Sequence, residues 1–221
     1  IGSYVLSLIL EPEKTEEEFV VYSGTRRGKD WEAFSEENGD KIIITTSQDI
    51  ACKNWVDTFN KTTVLLGAQD NTKEVLLSSF FDDGEAEVTV CTDLEGVEVK
   101  VRPDYWKEGT FNGEPFHSIQ DIKTSGQYVT SKADVERICS QWDYDLSAAL
   151  YVDVMQKVTS TPHDFYFMFI SKKDGQCVMY KASKQMLEEG RKKYTKALGL
   201  LKRARETGIY WENKIEEIDS I

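Results

Sequence analysis

"FHSIQDIKTSG", residues 116–126, decides how this chain is read. Its character predicts a strand over 116–124. A strand puts Asp121 and Lys123 on one face and Ile122 on the other. Alone, an Asp-x-Lys pair is an ordinary solvated surface pair. What lies upstream changes its meaning. "VRPDYW" (101–106) sets Asp104 where the preceding strand is expected to end, and "EAEVTV" (85–90) carries Glu85 and Glu87 at the spacing of a strand face. Three adjacent strands would bring Glu87, or its neighbour in parity Glu85, together with Asp104 and Asp121, and Lys123 beside them. Three hard carboxylates suit Mg²⁺, with Mn²⁺ as a substitute, because such ions keep waters and leave room for phosphate oxygens. A lysine at the rim orients or deprotonates a metal-bound water, or stabilises charge on the phosphate. That combination equips a chain for metal-assisted phosphodiester hydrolysis.

The rest of the chain frames the site. Its 221 residues are 40% hydrophobic, enough to bury a sizeable core. One domain over 1–221 is expected, with an amino-terminal start that is truncated, since the first residue is Ile1. Helices are predicted over 2–10, in the second half of 26–38, over 46–61 with an N-cap at Thr46 or Ser47, around 71–80, over 130–140 and 142–157, and from about 183 to 207. The last carries Leu187, Tyr194, Leu198 and Leu201 on one stripe. Hairpins are predicted over 85–93 with 96–104, turning near Gly96, and over 164–183, turning at Asp174-Gly175. This order describes an α/β domain with a central mixed sheet flanked by helices.

Charge and cysteines set limits. A net charge of -12 excludes a protein that coats nucleic acid generally, but not a local basic groove. The four cysteines are scattered without a CxxC pair, which speaks against zinc and iron–sulfur sites and for free thiols in a reducing cytoplasm. No run approaches membrane-spanning length. Residues 191–205, "RKKYTKALGLLKRAR", hold seven positive charges and no acid. They form either a solvated helix face or a phosphate-facing surface, with Lys192, Lys193 and Lys196 as the candidate DNA contacts. Arg26 and Arg27, in a glycine-containing loop, are a second candidate. His117 and His163 read as structural or surface groups, and "FYFMF" (165–169) as a core strand.

"RPD" (102–104) and "DIK" (121–123) resemble the two signature pieces of the PD-(D/E)XK nuclease superfamily. The likeness narrows further. "GSYVLSLILEPEKTEEEFVV" (2–21), "KDWEAF" (29–34), "EAEV" (85–88), "DIKT" (121–124) and "YDLSAALY" (144–151) follow the order of the exonuclease VIII (RecE-type) nuclease domain over about 1–155. That family is similar in fold to lambda exonuclease and the RecB nuclease domain. The resemblance implies a PD-(D/E)XK restriction-endonuclease-like core. It implies a Mg²⁺-dependent 5′→3′ exonuclease on double-stranded DNA ends, leaving 3′ single strands for a single-strand annealing protein in phage-type recombination. It also implies a homo-oligomeric ring. By position, Asp104, Asp121 and Glu87 would be metal ligands and Lys123 the catalytic lysine, while Tyr151 matches the tyrosine of a Gln-x-x-x-Tyr helix motif at the DNA. Two positions depart from the pattern: Leu6 stands where the family carries a histidine, and Ser147 where it carries the glutamine. Other readings are a RecB-like or Cas4-like repair nuclease, the latter disfavoured by the missing cysteine cluster, and a DNA-binding recombination subunit with weakened catalysis.

Overall fold

The computed structural model describes residues 1–66, 72–111 and 113–210. The amino-terminal third builds a layer of helices around a small sheet. Helix α1 (Gly2–Leu10) leads through a short 3-10 turn into α2 (Thr15–Glu18), strand β1 (Phe19–Tyr22), helix α3 (Lys29–Glu37), strand β2 (Ile42–Thr45) and helix α4 (Thr46–Lys61). Strands β1 and β2 pair in parallel. Helix α4 begins with a capping box. The Thr45 hydroxyl accepts from the Gln48 N–H (3.2 Å), and the Thr45 N–H donates to Gln48 Oε1 (2.9 Å). The cap is therefore Thr45, one residue before the expected position, because only there does a glutamine stand three residues on.

The next segment corrects the sequence reading. Residues 73–76 are a strand, not part of a helix: β4 (Lys73–Leu76) pairs antiparallel with β3 (Thr63–Leu66), and only Leu77–Phe81 is helical, as a short 3-10 helix. Residue 71, where that helix was expected to begin, lies outside the described residues. Nor is 85–93 one strand. Strand β5 is only Glu85–Ala86, and Glu87 then takes a left-handed φ of 55°, which breaks the extended chain. Strands β6 (Val90–Leu94) and β7 (Val97–Val101) form their own hairpin around Glu95-Gly96, whose φ values of 52° and 79° are those of a type I′ turn. This hairpin is separate from the central sheet.

The central sheet follows. Strand β8 (Tyr105–Phe111) pairs antiparallel with β9 (Glu114–Ser125). Helices α5 (Lys132–Gln141) and α6 (Tyr144–Thr159) then cross over to β10 (Asp164–Ser171), parallel to β9, and β11 (Cys177–Lys181) returns antiparallel. The order is β11-β10-β9-β8-β5, a mixed sheet. Its two faces divide by strand parity. Ile119, Phe165, Phe167 and Phe169 pack with Val135, Ile138, Ala148, Val152 and Met155 of α5 and α6. Ile122, Met168 and Ile170 pack with Val5 of α1 and Cys52 and Phe59 of α4.

The last helix, α7 (Lys184–Thr207), lies on α6 with Tyr194 and Leu198 buried and Leu187 and Leu201 beside them, the stripe expected from sequence. Gly190 permits the approach: a Cβ there would sit 1.9 Å from the Asp145 carbonyl oxygen. Among the described residues no helix is long and apolar enough to cross a membrane.

Candidate active site

Strand register aligns the acids. Ala86 pairs with Tyr105, and Tyr105 with Gln120. One step further along the same ladders, Glu87, Asp104 and Asp121 fall in a row, the first just past β5, the second just before β8 and the third within β9. The Glu87 N–H donates to the Asp104 carbonyl (3.0 Å), and the Ile122 N–H donates to Asp104 Oδ2 (2.7 Å). Asp104 is thus fixed to the backbone of the strand that carries Asp121. Asp121 is 4% exposed, on the same face of β9 as Ile119 and Lys123.

The charges in this space do not balance. The Lys123 ammonium is in ion-pair contact with Asp121 Oδ2, and that buried oxygen has no further hydrogen-bond partner. Burial pushes the Asp104 carboxyl well above the usual carboxylate range, and the charge of Asp121 pushes it further; Lys123 and the Ile122 N–H only partly offset this. For Lys123, burial disfavours charge, but Asp121 and Asp104 outweigh it and hold the ammonium above its ordinary value. A ring holds it too: Lys123 Nζ lies 5.2 Å from the centre of the Tyr144 ring, which is stacked against Phe167.

Glu87 is brought into the row but not into the pair. Its Oε2 lies 3.0 Å from the Arg102 guanidinium, and its buried Oε1 has no hydrogen-bond partner. Burial raises its carboxyl, against the pull of Arg102 and with the charges of Glu11 and Glu18 adding to the rise. Among the described residues no three Asp, Glu, His or Cys side chains stand close enough to hold a metal ion between them. The expected three-carboxylate cage is therefore a two-carboxylate pair, with the third acid turned to an arginine that sequence reasoning overlooked. The donor set still fits a hard divalent cation. It offers oxygen ligands only, more negative charge than Lys123 neutralises, and buried carboxylate oxygens lacking hydrogen bonds. Glu85, the alternative glutamate, is exposed on β5 opposite Trp106.

The other expected residues distribute unevenly. Tyr151, on α6, faces the same space. Burial raises its phenol and the charges of Asp121 and Asp104 raise it further, while a hydrogen bond to the Arg102 backbone works against them. Ser147 turns its hydroxyl back on its own helix, donating to the Tyr144 carbonyl (3.1 Å). Leu6, on α1, is partly buried against the core cluster that holds Val5, Cys52 and Ile122. Arg26 donates to the Ile43 carbonyl and lies over the Trp31 ring at 5.6 Å, and Arg27 is exposed beside it. On α7, Lys192 pairs with Glu189 (2.7 Å), and Lys193 with Asp143 (2.7 Å) and Asp145 (2.8 Å). Lys196 is exposed, with no ion pair among the described residues. Tyr144 was missed, although it stands seven residues before Tyr151, two helical turns away and so on the same face.

A mixed sheet flanked by helices, with Asp104 just before β8 and Asp121-x-Lys123 within the neighbouring β9, defines the PD-(D/E)XK class of fold. The chain belongs to the family described as "PDDEXK-like domain of unknown function (DUF3799)", which matches residues 1–220. Among solved structures it is similar to a presumed exonuclease from Eubacterium rectale, at 13% identity and a TM-score of 0.59, over 100% of this chain and 75% of that one. That likeness is one of fold. A second structure, SSO0001, is 13% identical over 84% of this chain and 81% of its own length, and its TM-score of 0.33 carries no argument. No curated protein matches the chain.

Proposed function

We propose that this chain is a divalent-metal-dependent exodeoxyribonuclease. The observation that carries the reading is the buried Asp104–Asp121 pair with Lys123 between Asp121 and the Tyr144 ring. Asp104 and Asp121 would hold Mg²⁺, or Mn²⁺ in its place, with Glu87 joining them only if it leaves Arg102. When bound, such an ion activates water and neutralises phosphate charge. Lys123 orients the attacking water and stabilises charge on the phosphate in the transition state. Tyr144 restricts the ammonium, and Tyr151 closes the same space from α6.

The finer assignment follows the RecE-type resemblance. It comprises 5′→3′ digestion of linear duplex ends, 3′ single strands delivered to an annealing protein, and a homo-oligomeric ring. A ring would also gather sparse basic groups around one channel in a chain of net charge -12. Arg26, Arg27, Lys192, Lys193 and Lys196 are the candidate phosphate contacts. A second reading, a DNA-binding recombination subunit without efficient catalysis, has a specific support. Leu6, at the family's histidine position, is a partly buried apolar side chain that offers no ligand.

The deciding experiment is cleavage of linear duplex DNA in Mg²⁺, with and without EDTA. Digestion abolished by EDTA supports the nuclease. A folded protein that binds DNA but never cuts in Mg²⁺ or Mn²⁺ supports the subunit. A monomer by light scattering, with and without DNA, overturns the ring.

A further inference from the structure

Three loops meet beyond the carboxyl end of β9. Gln127, just after that strand, donates from Nε2 to Gln141 Oε1 (3.0 Å) at the end of α5. The Lys172 N–H donates to the Ser125 carbonyl (2.8 Å), tying the β10–β11 turn to the same place. On this junction stand two large aromatic side chains that the core does not take up. Tyr128 is 52% exposed and Trp142 is 61% exposed. Both lie close to the site in sequence: Tyr128 follows Lys123 by five residues, and Trp142 precedes by two the Tyr144 whose ring covers Lys123.

Two cations stand beside them. Lys173 Nζ lies 5.3 Å from the centre of the Tyr128 ring. Neither Lys172 nor Lys173 has an ion-pair partner among the described residues, whereas most lysines elsewhere, Lys53, Lys157, Lys181 and Lys193 among them, face an acid. The acid in the same turn, Asp174, folds back on its own loop and accepts from the Gln176 N–H (3.1 Å).

We infer that Tyr128 and Trp142 are a stacking surface for the bases of a single DNA strand, with Lys172 and Lys173 taking its phosphates. The inference deepens the nuclease reading and rests on it for the identity of the polymer. Two separate ring faces with free cations match a flexible polyanion that carries flat bases. They match it better than an apolar protein face, which would ask for a continuous patch. A single strand is required because the bases of a duplex are stacked on each other and offer no free face. The cations add affinity without sequence preference.

The test is binding of an unstructured oligothymidylate, with EDTA present so that nothing is cut. Wild-type tryptophan fluorescence should be quenched on binding, and Trp142→Phe should lose much of that quench while keeping most of the affinity. Tyr128→Ala and Trp142→Ala should each weaken binding about tenfold. Lys173→Gln should flatten the salt dependence by a slope of about 0.7. A blunt duplex of the same length should be little affected by the aromatic variants. Unchanged oligothymidylate affinity in the double aromatic variant overturns the inference, as does an equal loss for the duplex. It is also overturned if Trp142→Ala converts an oligomer to a monomer, which would make the surface a contact between copies of this chain. If the wild type binds the strand as described yet never cuts DNA in Mg²⁺, the stacking surface stands and the nuclease reading fails. If it cuts and the aromatic variants bind as well as wild type, the reverse holds.

Discussion

Two lysines in this molecule each face a pair of aspartates, with different consequences. Lys193 on α7 reaches Asp143 and Asp145 at the start of α6; its side chain is 42% exposed and that of Asp143 66%. Lys123 on β9 contacts Asp121 with Asp104 next to it; its side chain is 26% exposed and that of Asp121 6%. Both ammonium groups are held above their ordinary value. Only in the buried pair does the shared lysine fail to satisfy its acids, so that Asp104 is driven well up. Water screens the first cluster and makes it a clip between two helices. The sheet withholds water from the second and leaves a charge that an added cation would relieve. The same residue types thus yield a satisfied clip or an unsatisfied cluster according to burial.

The largest test of that contrast is at the buried cluster. Asp121→Ala should lose metal binding by calorimetry. Lys123→Ala should retain it. Both should slow DNA cleavage in Mg²⁺ by about 10²–10⁴-fold with an unchanged circular dichroism spectrum. Asp143→Asn, in the exposed cluster, should cut at the wild-type rate; a loss matching that of Lys123→Ala would break the comparison. Next in size is Gly190→Ala. A methyl group 1.9 Å from the Asp145 carbonyl must force α7 off α6, costing about 1–3 kcal/mol or more in urea unfolding.

Smaller effects sharpen the contrast. Tyr144→Leu removes the ring over Lys123 and should lower kcat by about tenfold with KM little changed, while Tyr144→Phe keeps the ring and most of the rate. Lys193→Gln should change stability by less than about 1 kcal/mol. Of the three candidate lysines on α7, Lys196 has no ion pair among the described residues to give up. Lys196→Gln should therefore flatten the salt dependence of duplex binding by about one unit of slope, more than Lys192→Gln or Lys193→Gln. Equal slopes for all three would return the helix to a solvated face.

Alternation along 116–124 fixed which side chains share a face, so the partnership of Asp121 with Lys123 was legible from residues alone. So was the stripe of α7. The row of acids was legible in outline, but the path to it was misread. "EAEVTVCTD" alternates straight through Glu87, and period-two patterning cannot reveal a single left-handed residue that ends one strand and sends the next into another sheet. The same limit hid Arg102, which pairs with Glu87. The basic segment 191–205 looked unopposed because its counter-charges, Asp143, Asp145 and Asp153, come from α6. Sequence counts charges along a chain, while pairing depends on what packs across it. Tyr144 was within reach through its spacing from Tyr151 but needed the position of Lys123 to acquire meaning.

The hairpin of β8 and β9 has a further consequence, for the order in which the protein comes together. Asp104 and Asp121 belong to neighbouring strands whose near ends pair Phe111 with Glu114, so closing that loop costs little entropy. Strand β10 can join β9 only after α5 and α6 have been made and have crossed over the sheet, a pairing of much longer range. The acids therefore meet early, while still hydrated, and are shut away late, when α6 brings the Tyr144 ring over Lys123 and β10 sets Phe167 beside Asp121. A growing or half-folded chain carries the carboxylates without the burial that raises Asp104.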